Sequence, residues 1–137
     1  MMTFELLVNG KSLTSYPADG ILVATPTGST AYNLSAGGPI CDPHVQALVL
    51  TALAPHTLSA RPLILNPESE IVLKVSTEGD AVLSADGQVR LHILSGDEVR
   101  VVRSPRVTNL LTVAKDDFLH KLSDRLFWSQ SIIGGLS

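Results

Sequence analysis

The feature that most constrains this chain is a succession of short apolar runs cut by turn residues, spaced too tightly for long helices. Residues 4–8, the dipeptide Asn9-Gly10 and residues 11–16 read as a strand, a tight turn and a second strand. Asn-Gly suits that turn because both central residues of such a turn take positive φ. Residues 21–24 are fit for a buried strand, and Leu48–Leu53 is another apolar run whose length alone does not separate strand from helix. Residues 70–76 alternate loosely. Residues 89–93 alternate strictly, as a strand with one wet face should. Asp86-Gly87 lies between that run and residues 81–84, which predicts a second hairpin. Gly96-Asp97 precedes an apolar run at 99–102, and residues 107–113 supply one more.

Two segments depart from the pattern. Residues 30–36 lack β-branched side chains after Thr30 and run into Gly37-Gly38-Pro39. That predicts a turn or two of helix, capped by Ser29 or Thr30 and closed by glycine. In residues 116–128, Phe118, Leu122 and Leu126 recur at helical spacing with Leu119 beside them, and Asp116 and Asp117 suit the positive end of a helix dipole. An amphipathic helix is expected there, with an apolar stripe that needs a partner surface, inside or outside this chain; residues 129–137 read as a loose tail. The expected fold is therefore mainly β, two packed sheets, with a short helix after the turn at 25–32 and a C-terminal amphipathic helix. One domain is expected over residues 1–137, its β-rich body at about 4–113 and its helix at 116–128.

Composition narrows the function classes. At 137 residues the chain can bury a core without staples, and 45% hydrophobic with 17% charged residues is a globular composition, not a disordered one. With 4% aromatic residues, the core must be built mainly from Val, Leu, Ile and Ala. No apolar run is long enough to span a bilayer and no secretory signal pattern opens the chain, so no membrane partner is expected. The single cysteine, Cys41, excludes an internal disulfide, reads as an inert core thiol and fits a cytoplasmic setting. A net charge of -3 argues against nucleic acid as a partner. Arg100, Arg103 and Arg106 form a local exception, which reads as a solvated sheet face.

The densest chemistry is Thr25-Pro26-Thr27-Gly28-Ser29-Thr30-Ala31-Tyr32, with hydroxyls on both sides of one glycine after a strand and before a helix. Such an arrangement can aim backbone N–H groups at an anion, with Gly28 allowing close approach. Equally, it can be a plain turn leading to a capped helix. No Gly-Lys-Ser/Thr follows, so it is not a Walker A loop. His56 reads as a buried hydrogen-bonding residue and not as an acid–base catalyst. Arg61 either reaches a phosphate or anchors its loop. His44, His92 and His120 lack metal-ligand spacing, so no metal ligand is assigned.

Taken together, Ala18-Asp19-Gly20, Thr25 through Tyr32, Ser35-Ala36-Gly37-Gly38-Pro39, Pro55-His56-Thr57-Leu58-Ser59-Ala60-Arg61-Pro62-Leu63, Asp86-Gly87-Gln88, Gly96-Asp97 and Asp117-Phe118 resemble the signature of bacterial NAD kinases. The resemblance runs from about Phe4 to Trp128 and corresponds to the C-terminal, NAD-binding half of that family. It implies phosphoryl transfer from ATP or polyphosphate to the 2′-hydroxyl of the NAD adenosine ribose, with Mg²⁺ bound mainly with the phosphate donor. It also implies a homo-oligomer, dimer or tetramer, with sites shared between subunits. By position, Thr30, Ala31, Tyr32, Asn33, Leu34 and Ser35 would line the dinucleotide. Asp19 would meet the nicotinamide end, and Ala54 and Gln88 would match further positions near the cofactor.

The departures bear on catalysis. No Gly-Gly-Asp-Gly occurs in these residues and no Asn is followed by Glu or Asp, so the motifs of the family's N-terminal α/β domain are missing. No residue here is expected to be catalytic, and the isolated chain is expected to be inactive. Pro17 stands where family members often carry a basic residue. Alternatives are a stand-alone nucleotide-binding or regulatory module, a subunit of a split kinase, or the β-rich half of a related lipid kinase. Tyr32 with the Ser35–Pro39 run argues against the last.

Overall fold

A computed structural model describes residues 2–109, 118–119 and 121–123. The chain divides into two compact units, Met1–Ser104 and Pro105–Ser137. In the first unit the strands are β1 (Met2–Val8), β2 (Lys11–Ala18), β3 (Gly20–Ala24), β4 (Leu48–Leu53), β5 (Leu63–Leu65), β6 (Ile71–Thr77), β7 (Ala81–Ala85), β8 (Val89–Ile93) and β9 (Glu98–Val101). A 3-10 turn at Thr27–Thr30 and a short helix α1 (Tyr32–Ser35) fill the connection between β3 and β4. Every pairing is antiparallel: a four-stranded sheet β2-β1-β6-β9, a three-stranded sheet β3-β4-β5 and a ribbon β7-β8.

The expected first hairpin forms, with Asn9 at φ 51 and Gly10 at φ 81. Asn9 also ties the turn to the start of β6: its N–H donates to the Glu70 carbonyl, and its side-chain oxygen accepts the Glu70 N–H, both at 2.9 Å. The period of two then sorts the side chains. Phe4 and Leu6 of β1 lie opposite Val75 and Leu73 of β6, and all four are buried. Between Leu6 and Leu7 the register against β2 slips by a bulge, leaving Leu13 unpaired and exposed on the sheet edge.

The four- and three-stranded sheets share one core, in which Leu48 and Leu50 of β4 join Phe4, Leu6, Tyr16, Ala18, Ile71, Leu73 and Val75. Burial pushes the Tyr16 phenol above its ordinary pKa. On the other face of β4, Val49 packs with Ala47 and Cys41, so the thiol is buried as expected. β4 is thus a strand covered on both faces, which is why its sequence runs apolar without alternation.

The second hairpin also forms, with Asp86 at φ 52 and Gly87 at φ 70, but the wet-face expectation for 89–93 fails. Val89 and Leu91 are exposed together with Arg90 and His92. A two-stranded ribbon has no sheet to cover either face; its base, Ala81 and Ile93, meets the core while the rest stands clear.

In the second unit, residues 107–109 form no strand, and the remainder of the expected run to 113 lies outside the described residues. Residues 118–119 and 121–123 are helical; the other positions of the expected helix at 116–128, and the tail at 129–137, also lie outside them.

The core assignment predicts that Leu50→Ala destabilises the protein by about 2–5 kcal/mol. Leu58→Ala, at a side chain 96% exposed, should stay within about 0.5 kcal/mol in the same urea titration.

Candidate functional site

The connection between β3 and β4 is held by its own polar groups. The Gly28 N–H donates to Thr25 Oγ1 at 3.2 Å, the Ser29 N–H to the Pro26 carbonyl at 3.2 Å and the Ala31 N–H to the Gly28 carbonyl at 3.1 Å. With these three N–H groups bonded internally, the segment has the hydrogen bonding of a plain turn. Capping also differs from expectation. Ala31 occupies the N-cap of α1 and no side chain caps it. The fully buried Ser29 hydroxyl instead donates to the Pro26 carbonyl at 2.6 Å and accepts the Cys41 N–H at 2.9 Å. Gly28 is not among the positive-φ glycines, and a Cβ there would meet Thr25 Oγ1 at 3.4 Å, an ordinary contact.

Glycine closes the helix as the sequence predicts. Gly37 sits at φ 83, its N–H bonds to the Leu34 carbonyl at 3.0 Å, and the Gly38 N–H reaches the Asn33 carbonyl at 2.8 Å. That pair of bonds is the Schellman arrangement. Gly38 must be glycine for a steric reason, because an added Cβ would fall 2.2 Å from Asn33 Oδ1.

Asn33, expected to line a ligand, turns its side chain inward and is 2% exposed. Its amide donates to the Ser29 carbonyl at 3.2 Å and the Pro39 carbonyl at 3.1 Å, and its oxygen accepts the Thr51 hydroxyl at 2.6 Å. The amide is therefore occupied within the fold. Around it, Ala31, Tyr32, Leu34 and Ser35 are exposed, Tyr32 by 61%, while Thr30 is half-buried with its hydroxyl on the Thr27 carbonyl.

Tyr32 and Asp19 border one cleft of about 280 Å³, whose lining includes Phe4, Leu73, Val75, Ala81, Leu83 and Ile93. Asp19 is set by its N–H bond to the Leu53 carbonyl at 2.9 Å. Its carboxylate lies 3.6 Å from His56 Nε2, an ion-pair distance between groups that are both well exposed. His56 is thus not the buried residue the sequence suggests: its side chain is 52% exposed, because its N–H is pinned to the Pro17 carbonyl at 2.8 Å at the sheet edge. Ala54, next to Leu53, holds φ 42, a left-handed conformation that costs an alanine roughly 1–2 kcal/mol. Gln88 lies in the turn of the β7-β8 ribbon and does not border the cleft. The structure therefore brings Asp19 and Tyr32 together, sets Ala54 beside them in the chain, and keeps Gln88 away from that cleft.

Other candidates resolve into structural roles. The Arg61 guanidinium donates to the Leu58 carbonyl at 2.9 Å and the Ala60 carbonyl at 3.4 Å, which anchors its own loop. Arg100 pairs with Glu70 at 2.8 Å and Arg103 with Glu68 at 2.7 Å, so acids offset this basic stretch on a solvated face. The His44 N–H and ring, both 2.9 Å from Asp42 Oδ1, hold that carboxyl below the usual range. Among the described residues no group of three or more His, Cys, Asp or Glu could hold a metal ion, so they provide no Mg²⁺ cage. No helix among them is long and apolar enough to cross a membrane. Sequence reading passes over Thr51, although a lone hydroxyl inside Leu48–Leu53 is itself a signal of a buried polar partner.

Fold and site together define an antiparallel β domain with a mainly apolar cleft bordered by one carboxylate and one tyrosine. The family model for the ATP-NAD kinase C-terminal domain matches residues 1–113, and the chain belongs to that family. It is 44% identical over 133 residues to the NAD kinase of Serratia proteamaculans, covering 96% of this chain and 46% of that one. Against the NAD kinase of Citrifermentans bemidjiense it is 40% identical over 132 residues, covering 95% and 46%. The chain thus spans about half the length of these relatives. Among solved structures, yeast NADH kinase complexed with NADH superposes with a TM-score of 0.70 at 44% identity, covering 74% of this chain and 29% of that one. An Archaeoglobus fulgidus NAD kinase in complex with ATP gives 0.70 at 31% identity, covering 77% and 40%.

Gly38→Ala should displace Asn33 and lower stability by about 1–3 kcal/mol, the usual cost of overpacking. Gly28→Ala, with ordinary contacts at its Cβ, should cost less than half as much; thermal unfolding of the two variants reads the difference.

Proposed function

We propose that the chain supplies the NAD-binding part of an NAD kinase. The observation that carries this reading is the cleft that Asp19 and Tyr32 border, in a domain similar to that of a kinase solved with NADH. Tyr32 offers an exposed ring for stacking, and Asp19 offers a carboxylate to the amide or the cationic ring of nicotinamide. On the family resemblance, exposed Ala31, Leu34 and Ser35, half-buried Thr30, the backbone of Asn33, and Ala54 would meet the dinucleotide where it extends beyond that cleft.

Phosphoryl transfer from ATP or polyphosphate needs a base or orienter for the attacking hydroxyl and a metal on the phosphates. These residues contain neither the glycine-rich aspartate motif nor a metal cluster among those described, so both functions fall to an α/β partner domain. Mg²⁺ would arrive with the phosphate donor. Self-association fits the apolar side chains left bare on the β7-β8 ribbon, where Val82, Val89 and Leu91 are exposed. A second copy would give Gln88 a route to a cleft that its own chain keeps from it. The buried thiol of Cys41 is compatible with a cytoplasmic setting.

In a saturation-transfer NMR titration, NAD⁺ should contact the chain, and Tyr32→Ala should weaken that binding by about 1–3 kcal/mol, on the scale of base–aromatic stacking. Unchanged affinity removes Tyr32 from the site. With ATP, Mg²⁺ and NAD⁺ the chain alone should form no NADP⁺ in a coupled reduction assay; robust turnover would refute the division of labour.

A further inference from the structure

The helix that presents Tyr32 cannot hold itself in place. α1 is four residues long, and a helix of that length has no intrinsic stability in water. Its capping position carries no side-chain bond, and Tyr32 is too exposed to anchor it by packing. What fixes it is Asn33, buried and bonded to the segment on either side of α1 through Ser29 and Pro39, and to β4 through Thr51. The Ser29 and Pro39 bonds lie within the connection; the Thr51 bond is the one that ties the helix to the sheet. Gly38, with no room for a Cβ, is what lets the amide sit there.

We infer that Thr51 is a positioning residue for the nucleotide site: its hydroxyl, buried in β4, holds Asn33 and thereby sets the Tyr32 ring at the cleft. This inference rests on the proposed function for its ligand and on the buried bond alone for its geometry. Among the described residues Thr51 provides the donor to Asn33 Oδ1, at 2.6 Å, and no buried side-chain polar atom lacks a partner. Removing that hydroxyl leaves the amide oxygen buried and unpaired, a state the segment escapes by letting α1 lift from β4. If the helix then occupies its binding position about a tenth of the time, apparent affinity falls about tenfold, because binding draws on the competent fraction alone.

The chain contains two tyrosines, Tyr16 and Tyr32, so each variant carries its own control. In ¹³C-tyrosine-labelled protein without ligand, Thr51→Val should shift and broaden the ring signals of Tyr32 and leave those of core-buried Tyr16 unmoved. NAD⁺ affinity should fall about tenfold, and Thr51→Ser, which keeps the donor, should restore both readouts. Unmoved Tyr32 signals, equal movement of both tyrosines, or undiminished NAD⁺ affinity in Thr51→Val would each overturn the inference. Should Tyr32 alone respond while the unmodified chain binds no NAD⁺, the proposed function falls and the positioning of Tyr32 by Thr51 stands.

Discussion

The core of the first unit is arranged around a strand that has no wet face. β4 gives Leu48 and Leu50 to the core shared with the four-stranded sheet, and Val49 and Thr51 to the opposite side. Side chains of a strand alternate, so a strand buried on both faces needs a cover on each. One cover is the sheet β2-β1-β6-β9; the other is the irregular segment from Thr27 to Cys41. An irregular segment over a core carries backbone groups that water cannot reach, and these must be paired locally. Ser29 and Asn33 provide that pairing, which is why the polar residues of this stretch point inward and its tyrosine points out.

The same constraint separates two kinds of residue that look alike in sequence. Hydroxyl and amide side chains around a glycine suggest ligand chemistry, yet Ser29 and Asn33 are consumed by the fold. Residues left open to solvent, such as Tyr32 and Ser35, alternate with the structural ones along the same short stretch. At Tyr32 the cleft is thus bordered by the outer side of a segment whose inner side is a core. Asp19 reaches the cleft by a different route, from the junction of β2 and β3, where backbone bonds to Leu53 and from His56 to Pro17 tie it to the loop after β4.

Strands and hairpins were legible because their determinants are local. Asn9-Gly10 and Asp86-Gly87 needed no tertiary information to be read as turns, and the apolar runs at 4–8 and 70–76 that became strands were visible between turn residues. Where tertiary covering decides, local pattern failed. Strict alternation at 89–93 did not give a buried face, since the ribbon has no second sheet against it. His56 stays in solvent because the chain runs along a sheet edge, which no pattern in Pro-His-Thr-Leu announces. The cap expected from Ser29 or Thr30 was lost to a 3-10 turn that moved the helix start by a residue or two. Asp19 and Tyr32 were proposed through family resemblance; that they share a cleft, and that the Asn33 side chain is turned inward, depended on packing.

Asn33, Gly38 and Thr51 have an inheritance of their own. The amide fits because position 38 has no Cβ, and it is satisfied because position 51 has a hydroxyl. A change at one of these sites alters what is tolerable at the other two, so substitution effects there will depend on sequence background instead of adding. Variation along the outer side of the segment, at Tyr32 or Ser35, carries no such tie. The exposed surface can therefore drift residue by residue, whereas the scaffold beneath it must change in concert or not at all.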